Sequence, residues 1–197
     1  MKRLIVYLLV GLGMFAFIAG CSKQPTQEIS DAKAAVDATV ADGAEKYATE
    51  DLKRLNDSLT AATDEISIQD KKFFKSYTKA KEMLAQVKAD AETLKTEIPA
   101  KKEKAKNDAL TVQTEATTAV ADAKALIAKA PRGKGSRADL EAMKADLAGL
   151  ETSLAEVQTL ISSEDYLAAS EKAAAIKAKA AEVSDQINQA MEKTGKK

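Results

Sequence analysis

The chain has no histidine, no tryptophan and one cysteine in 197 residues. Each absence closes a class of chemistry. Without histidine there is no imidazole general base, no Ser-His triad and no imidazole metal ligand. A disulfide needs a second cysteine, and a structural zinc site needs several Cys or His ligands. Aromatics make up 4% of the chain, and those beyond residue 20 are Tyr47, Phe73, Phe74, Tyr77 and Tyr166. That is little material for the concave, aromatic-lined pocket a hydrolase needs. Charge of one sign is also lacking. Thirty basic residues balance thirty acidic ones, which removes the electrostatic case for nucleic acid. Ser–Lys pairs and paired carboxylates occur, but among so many charged helix positions they arise by spacing alone. The chain is therefore expected to be non-enzymatic, with no cofactor and no metal site.

What is present begins at the N-terminus. Met1-Lys2-Arg3 is basic, and Leu4 to Ala19 follows without a charge. Sixteen apolar residues are short of the ~20 that a spanning helix needs. A basic start, a short apolar core and small residues at its end describe a secretory signal peptide. The ending, Ile18-Ala19-Gly20-Cys21, resembles the lipobox of bacterial lipoproteins. The resemblance implies that the Cys21 thiol receives a diacylglyceryl group and that cleavage leaves Cys21 as the modified N-terminus. A lone thiol suits acylation. One acyl chain binds a membrane reversibly, whereas two or more make a stable anchor. Ser22 stands where, in the Gram-negative sorting rule, an aspartate would retain a lipoprotein at the inner membrane. The expected location is thus the cell envelope, lipid-anchored at the outer membrane and facing the periplasm.

The mature chain from Cys21 keeps 28 basic and 30 acidic residues, a formal charge of −2. Its apolar fraction is mostly alanine, accompanied by Lys, Glu and Asp, the composition of long helices and coiled coils. Alanine favours the helix but buries little surface, so the helices should pack closely around a thin core. The apolar positions repeat. Leu52, Leu55, Leu59, Ala62, Ile66, Gln69 and Phe73 alternate spacings of three and four, a helical seam. Adding 88 gives Leu140, Met143, Leu147, Leu150, Leu154, Val157 and Ile161. A second seam runs Tyr77, Ala80, Leu84, Val87, Ala91, Leu94, Ile98. Adding 89 gives Tyr166, Ala169, Ala173, Ile176, Ala180, Val183, Ile187. The constant offset, the single inserted residue and the paired tyrosines indicate an internal duplication. Ahead of these, Ile29, Ala32, Val36, Val40, Gly43 and Tyr47 form one helix stripe, and Val120, Ala123, Ile127 and Ala130 another.

The fold class that follows is all-α, an elongated helical bundle of two tandem three-helix, spectrin-like units joined by a long kinked helix. A long helical hairpin or coiled coil is the alternative. The division reads 1–20 signal peptide, 21–27 lipidated linker, 28–98 first unit, 99–108 charged helical linker, 109–193 second unit and 194–197 basic tail. Thr26 is expected to cap the first helix and Thr49 the second. A turn is expected near Lys75-Ser76, although residues 50–97 could form one helix, since no Gly or Pro lies between Ala44 and Ile98. Pro99 predicts a kink or short break, because proline inside a helix costs roughly 3 kcal/mol. If the helix resumes at once, Tyr77–Lys129 is a rod of roughly 80 Å at about 1.5 Å per residue. Ser136 with Asp139 resembles a capping box, and Ser162-Ser163-Glu164-Asp165 reads as a turn before an acidic helix start. The pairs Asp42–Lys46, Glu50–Arg54 and Glu97–Lys101 read as solvated helix supports.

Few residues stand out as contacts. The loop Ala130–Arg137, APRGKGSR, is not a Walker motif, since that needs a glycine where Ala128 stands. Its Arg132, Lys134 and Arg137 are candidates for touching lipid phosphates or the cell wall, or form an exposed turn. Phe73 and Tyr77 fall on seam positions and are expected in the core. Phe74 lies off the seam, as a partner contact or as a seal on the bundle end, with Tyr47 capping that same end. Lys197 ends the chain as lysine ends the small murein lipoprotein, a resemblance that implies covalent joining of its amine to peptidoglycan; the alternative reading is a frayed, solvated tail.

The segments GAEKYATEDLKRLNDSLTAA (43–62) and EDYLAASEKAAAIKAKAAE (164–182) resemble an alanine-rich helical domain of bacterial envelope lipoproteins, a domain of unknown function. The resemblance extends loosely over the mature chain. It departs at Tyr47-Ala48-Thr49, where the family's proline is missing, and at Ser76-Tyr77, where the family has Asp-Tyr. It implies no activity and no catalytic residue. Together these features describe a structural spacer, tether or adaptor. Its expected partners are the membrane, through its lipid, and an envelope protein or peptidoglycan. The alternative is a module binding a lipid or other apolar ligand between helices.

Overall fold

The computed structural model describes residues 23–130 and 137–193. Among them are six helices and no strand: α1 Thr26–Ala41, α2 Ala44–Tyr47, α3 Thr49–Asp70, α4 Thr78–Lys129, α5 Arg137–Ser162 and α6 Tyr166–Lys193. The fold is an all-α helical bundle. Two compact units divide at Ile98 and Pro99.

In the first unit the core joins α1, α3 and the first part of α4. Ala32 and Val36 meet Leu52, Leu55, Ala62 and Ile66, and the seam from Tyr77 to Ile98 closes against both. Every residue of that seam is buried. Alanines at 0% exposure, Ala32, Ala62, Ala80 and Ala91, let the helices approach closely. Larger residues between them, such as Leu84 and Val87, fill the layer. In the second unit Ala123, Ile127, Leu140, Leu147, Val183 and Ile187 form a core, with Leu126, Met143, Leu150 and Met191 at its edge. The seam from Tyr166 to Ile187 is buried throughout, as its counterpart is. The numerous threonines and serines are accommodated by hydroxyls that donate back to carbonyls three or four residues earlier, as Thr60 does to Asn56 and Thr93 to Ala89. Among the described residues no buried side-chain polar atom is left without a partner.

Helix boundaries depart from the sequence expectations in several places. Thr26 does not cap α1. It is the first helical residue, and Pro25 precedes it without a side-chain cap. The Pro25 ring is itself buried, and its carbonyl accepts from the Ile29 N–H at 3.0 Å. Packing therefore sets this start. Thr49 likewise opens α3 from inside, behind Ala48, and its hydroxyl donates to the Glu45 carbonyl. The stripe from Ile29 to Tyr47 is not one helix. Gly43 adopts φ 101°, which turns the chain out of α1, and its carbonyl then accepts from Lys46 and Tyr47 to start α2. Only glycine takes that backbone without steric cost.

Two further expectations are settled. Residues 71–77 are non-helical, so 50–97 is two helices with the turn where it was expected. Pro99 does not break its helix, since α4 runs through it. The lost N–H and the ring are tolerated where good helix formers, Lys, Glu and Ala, flank them on both sides. Two of the residues expected in solvated pairs have other partners. Arg54 binds Asp51 instead of Glu50, and Asp42 reaches across to Lys95 of α4 at 3.8 Å.

Candidate functional site

The connection from α3 to α4, Lys71-Lys72-Phe73-Phe74-Lys75-Ser76-Tyr77, is the most distinctive surface of the first unit. It begins one residue after Asp70, which gathers three partners. The Tyr77 hydroxyl donates to one carboxylate oxygen. Gln24 Nε2 donates to the other at 3.1 Å. Lys75 Nζ lies 3.6 Å away. Tyr77 is 2% exposed, so its ring anchors the loop in the core while its hydroxyl ties the loop to the end of α3. The hydrogen bond to Asp70, with burial and the carboxylate charge, raises the phenol pKa above its ordinary 10.0.

Phe73 is not in the core. It is 92% exposed and Phe74 is 87% exposed. Their rings pack edge to face with centroids 5.0 Å apart. The expectation for Phe73 came from extending the seam past Asp70, but the helix stops there. The second unit shows what the seam does when it continues. Ile161, 88 residues after Phe73, still lies in α5 and is half-buried. There the helix ends later and more tightly. Glu164 adopts φ 60°, its N–H donates to Ile161, and the Asp165 N–H donates to Leu160 at 2.8 Å. This is a Schellman closure with glutamate where glycine is usual. Asp165 Oδ1 then accepts from the Ala168 N–H at 3.4 Å, capping α6 as the acidic start predicted. The residue inserted between the two seams falls in this turn.

Tyr47 does not share an end with the phenylalanines. It lies beside Gly43, its ring 3.5 Å from where a Cβ would stand there, near the Asp42–Lys95 pair. Lys95 is 17 residues along α4 from Thr78, or about 26 Å at the helical rise. The N-terminal segment sits instead at the phenylalanine end, held by Gln24 on Asp70 and by Glu28 on Lys81 at 2.6 Å. The Lys81 bond holds the Glu28 carboxyl below its ordinary pKa.

Described residues line open grooves in both units. One open groove of about 360 Å³ in the first unit is lined by Asp51, Arg54, Leu55, Asp90, Leu94 and Glu97. Another of about 330 Å³ in the second lies between α4 and α5, along Ile127, Ala128, Leu147 and Ala148 with Lys124, Lys144 and Glu151 at its rim. Lys124 and Glu151 already pair at 2.5 Å. Among the described residues no group of three His, Cys, Asp or Glu side chains could hold a metal, and no helix is long and apolar enough to cross a membrane. Of the sequence-predicted contacts, Phe74 is exposed as expected. Cys21, Arg132, Lys134 and Lys197 lie outside the described residues, as does the Arg137 side chain. The surface feature missed in sequence was the joint exposure of Phe73 and Phe74 between lysines. The run KKFFK, with two lysines breaking the seam before it, was the available signal.

The protein is thus a helical-bundle protein with an aromatic, basic loop at one end of its first unit. Residues 27–110 match the family described as "Domain of unknown function (DUF4398)". The expected resemblance to a domain of unknown function is found there, over a narrower span than the whole mature chain. No curated protein and no solved structure matches the chain.

Proposed function

We propose that this protein is a lipid-anchored, non-enzymatic helical protein of the bacterial cell envelope, acting as a spacer, tether or adaptor. The observation that carries the reading is Ile18-Ala19-Gly20-Cys21 behind a basic, apolar leader, with the chain's one cysteine at the lipidation position. The bundle supports it. Within each unit alanine-rich helices close around a buried core, and the first helix begins five residues after Cys21. A short linker of this kind holds a folded body close to its anchor. The outer membrane, facing the periplasm, is the location that Ser22 favours. Contacts to the wall would come from Arg132, Lys134 and Arg137, or through Lys197.

Mass analysis of the N-terminal peptide tests the anchor. The expected result is a peptide starting at Cys21 and carrying acyl chains, lost in the Cys21→Ala variant. An unmodified Cys21 in the processed protein would sink the reading. Retention on purified peptidoglycan after boiling in detergent, lost on deletion of Lys197, would identify a covalent wall tether. Retention lost on boiling would identify a non-covalent one.

A further inference from the structure

The loop after α3 concentrates apolar surface that the fold leaves uncovered. Of the exposed large hydrophobic residues among the described ones, Ile68, Phe73 and Phe74 fall within seven consecutive positions. Burying a phenylalanine ring is favourable, yet these two stand almost fully in solvent and pack mainly on each other. Lys71, Lys72 and Lys75 surround them and are also exposed. Asp70 is occupied by Tyr77, Gln24 and Lys75, and Glu65, whose charge also acts on Lys72, is held by Lys79 and Gln69. The loop therefore presents an aromatic knob within a ring of positive charge. Tyr77 fixes its base in the core. Aromatic rings flanked by lysines match the boundary of an anionic bilayer, where rings enter the acyl edge and ammonium groups stay with phosphates.

Position decides the occupant. Gln24 bonds Asp70, the residue next to Lys71. Cys21 is three residues before Gln24, and three residues of chain span at most roughly 11 Å. The fold thus ties the chain to the phenylalanine end at Gln24, and a lipid on Cys21 is joined within roughly 11 Å of that point.

We infer that Phe73 and Phe74 dock into the same bilayer that receives the N-terminal lipid, with Lys71, Lys72 and Lys75 on its anionic headgroups. This placement rests on the lipid-anchor reading, but the loop's affinity for anionic bilayer does not. Docking at a second point removes the free swivel of a protein held by one flexible linker, so the first unit is oriented on the membrane.

The chain has no tryptophan, which makes single-tryptophan reporters direct. Phe73→Trp, Phe74→Trp and, at the far end, Glu45→Trp would be made in the full processed protein. Each would be reconstituted in vesicles of phosphatidylethanolamine and phosphatidylglycerol, with and without brominated acyl chains. The expected result is blue-shifted emission quenched by bromine for Phe73→Trp and Phe74→Trp, and neither effect for Glu45→Trp. Unshifted, unquenched emission from both loop reporters in protein that floats with the vesicles would overturn the loop proposal and leave the anchor standing. If Cys21 proves unmodified, the same reporters are titrated with vesicles directly. A shift then supports the loop alone, and no shift overturns it. In Cys21→Ser protein, Lys71→Glu, Lys72→Glu and Lys75→Glu should each weaken vesicle binding by at least about fivefold, and more weakly at high salt. Binding unchanged by all three would overturn the electrostatic part.

Discussion

Gly43 and Glu164 hold the two left-handed backbones among the described residues, at φ 101° and 60°, and they respond oppositely to substitution. Gly43→Ala puts a Cβ on a conformation that disfavours one. The ring of Tyr47 is at ordinary contact distance, so the cost is conformational. A loss of at least about 1 kcal/mol is expected in urea unfolding. Glu164→Gly relieves the same strain in the second unit. It also gives up an ion pair with Lys102 at 2.5 Å, but that pair is largely solvated and exposed pairs contribute little. A higher melting temperature is therefore expected, and a lower one would mean the pair outweighs the strain. Tyr77→Phe keeps the buried ring and removes the donor to Asp70. It should lower the melting temperature at neutral pH while leaving Ala91 and Leu84 packed, which hydrogen exchange along α4 would read.

Helices here are held by close approach more than by large side chains. Ala91 is fully buried between α4 and its neighbours. Ala91→Leu has no space to enter and should cost about 1–3 kcal/mol. Leu84→Ala, at a residue 1% exposed, should cost about 2–5 kcal/mol by transfer and cavity terms together. Denaturant titration of both separates a tight seam from a loose one. A loose seam would accept the leucine at little cost. Pro99 tests α4 differently. It lies inside a continuous helix, where proline is about 3 kcal/mol worse than alanine. Pro99→Ala should raise stability by up to that amount.

Across the molecule, pH dependence is set by what is missing. With no histidine, no side chain in the described residues has an ordinary pKa near neutrality. At the acid end, Glu28, Glu65 and Glu164 have their carboxyls lowered from 4.5 by hydrogen bonds to Lys81, Lys79 and Lys102 respectively. Lowered carboxyls contribute stability above the ordinary value and lose it as pH falls through the folded one. At the alkaline end, Tyr77 is raised by Asp70 and Lys179 by Glu182. Raised groups contribute below their ordinary values and lose that contribution as pH rises through the folded ones. The melting temperature should be flat from about pH 5 to about pH 9.5 and fall on both sides. Circular dichroism across that range checks it, and Tyr77→Phe should soften the alkaline fall. A transition near pH 6.5 would contradict the composition argument.

The helical class and the buried faces follow from sequence because both are local properties. Alanine-rich segments favour helix, and alternating spacings of three and four mark one face. Both seven-residue seams headed by Tyr77 and Tyr166 are buried at every position. The turn near Lys75 and the cap at Asp165 were legible for the same reason, since turn and capping chemistry acts within a few residues. Where a seam ends is not set by its spacing. Phe73 continues the spacing of Leu52 to Gln69, yet α3 stops at Asp70, whose carboxylate is bound by Lys75 and Tyr77 of the following loop and by Gln24 from far earlier in the chain. The same spacing in the second unit runs on to Ile161, because Glu164 closes the helix beyond it. Periodicity names the apolar face of a helix. The bonds made at each helix end, by Gln24, Lys75 and Tyr77 on Asp70 in one unit and by the Glu164 turn in the other, decide how far the helix carries that face, and so which of two similar side chains is half-buried and which stands in solvent.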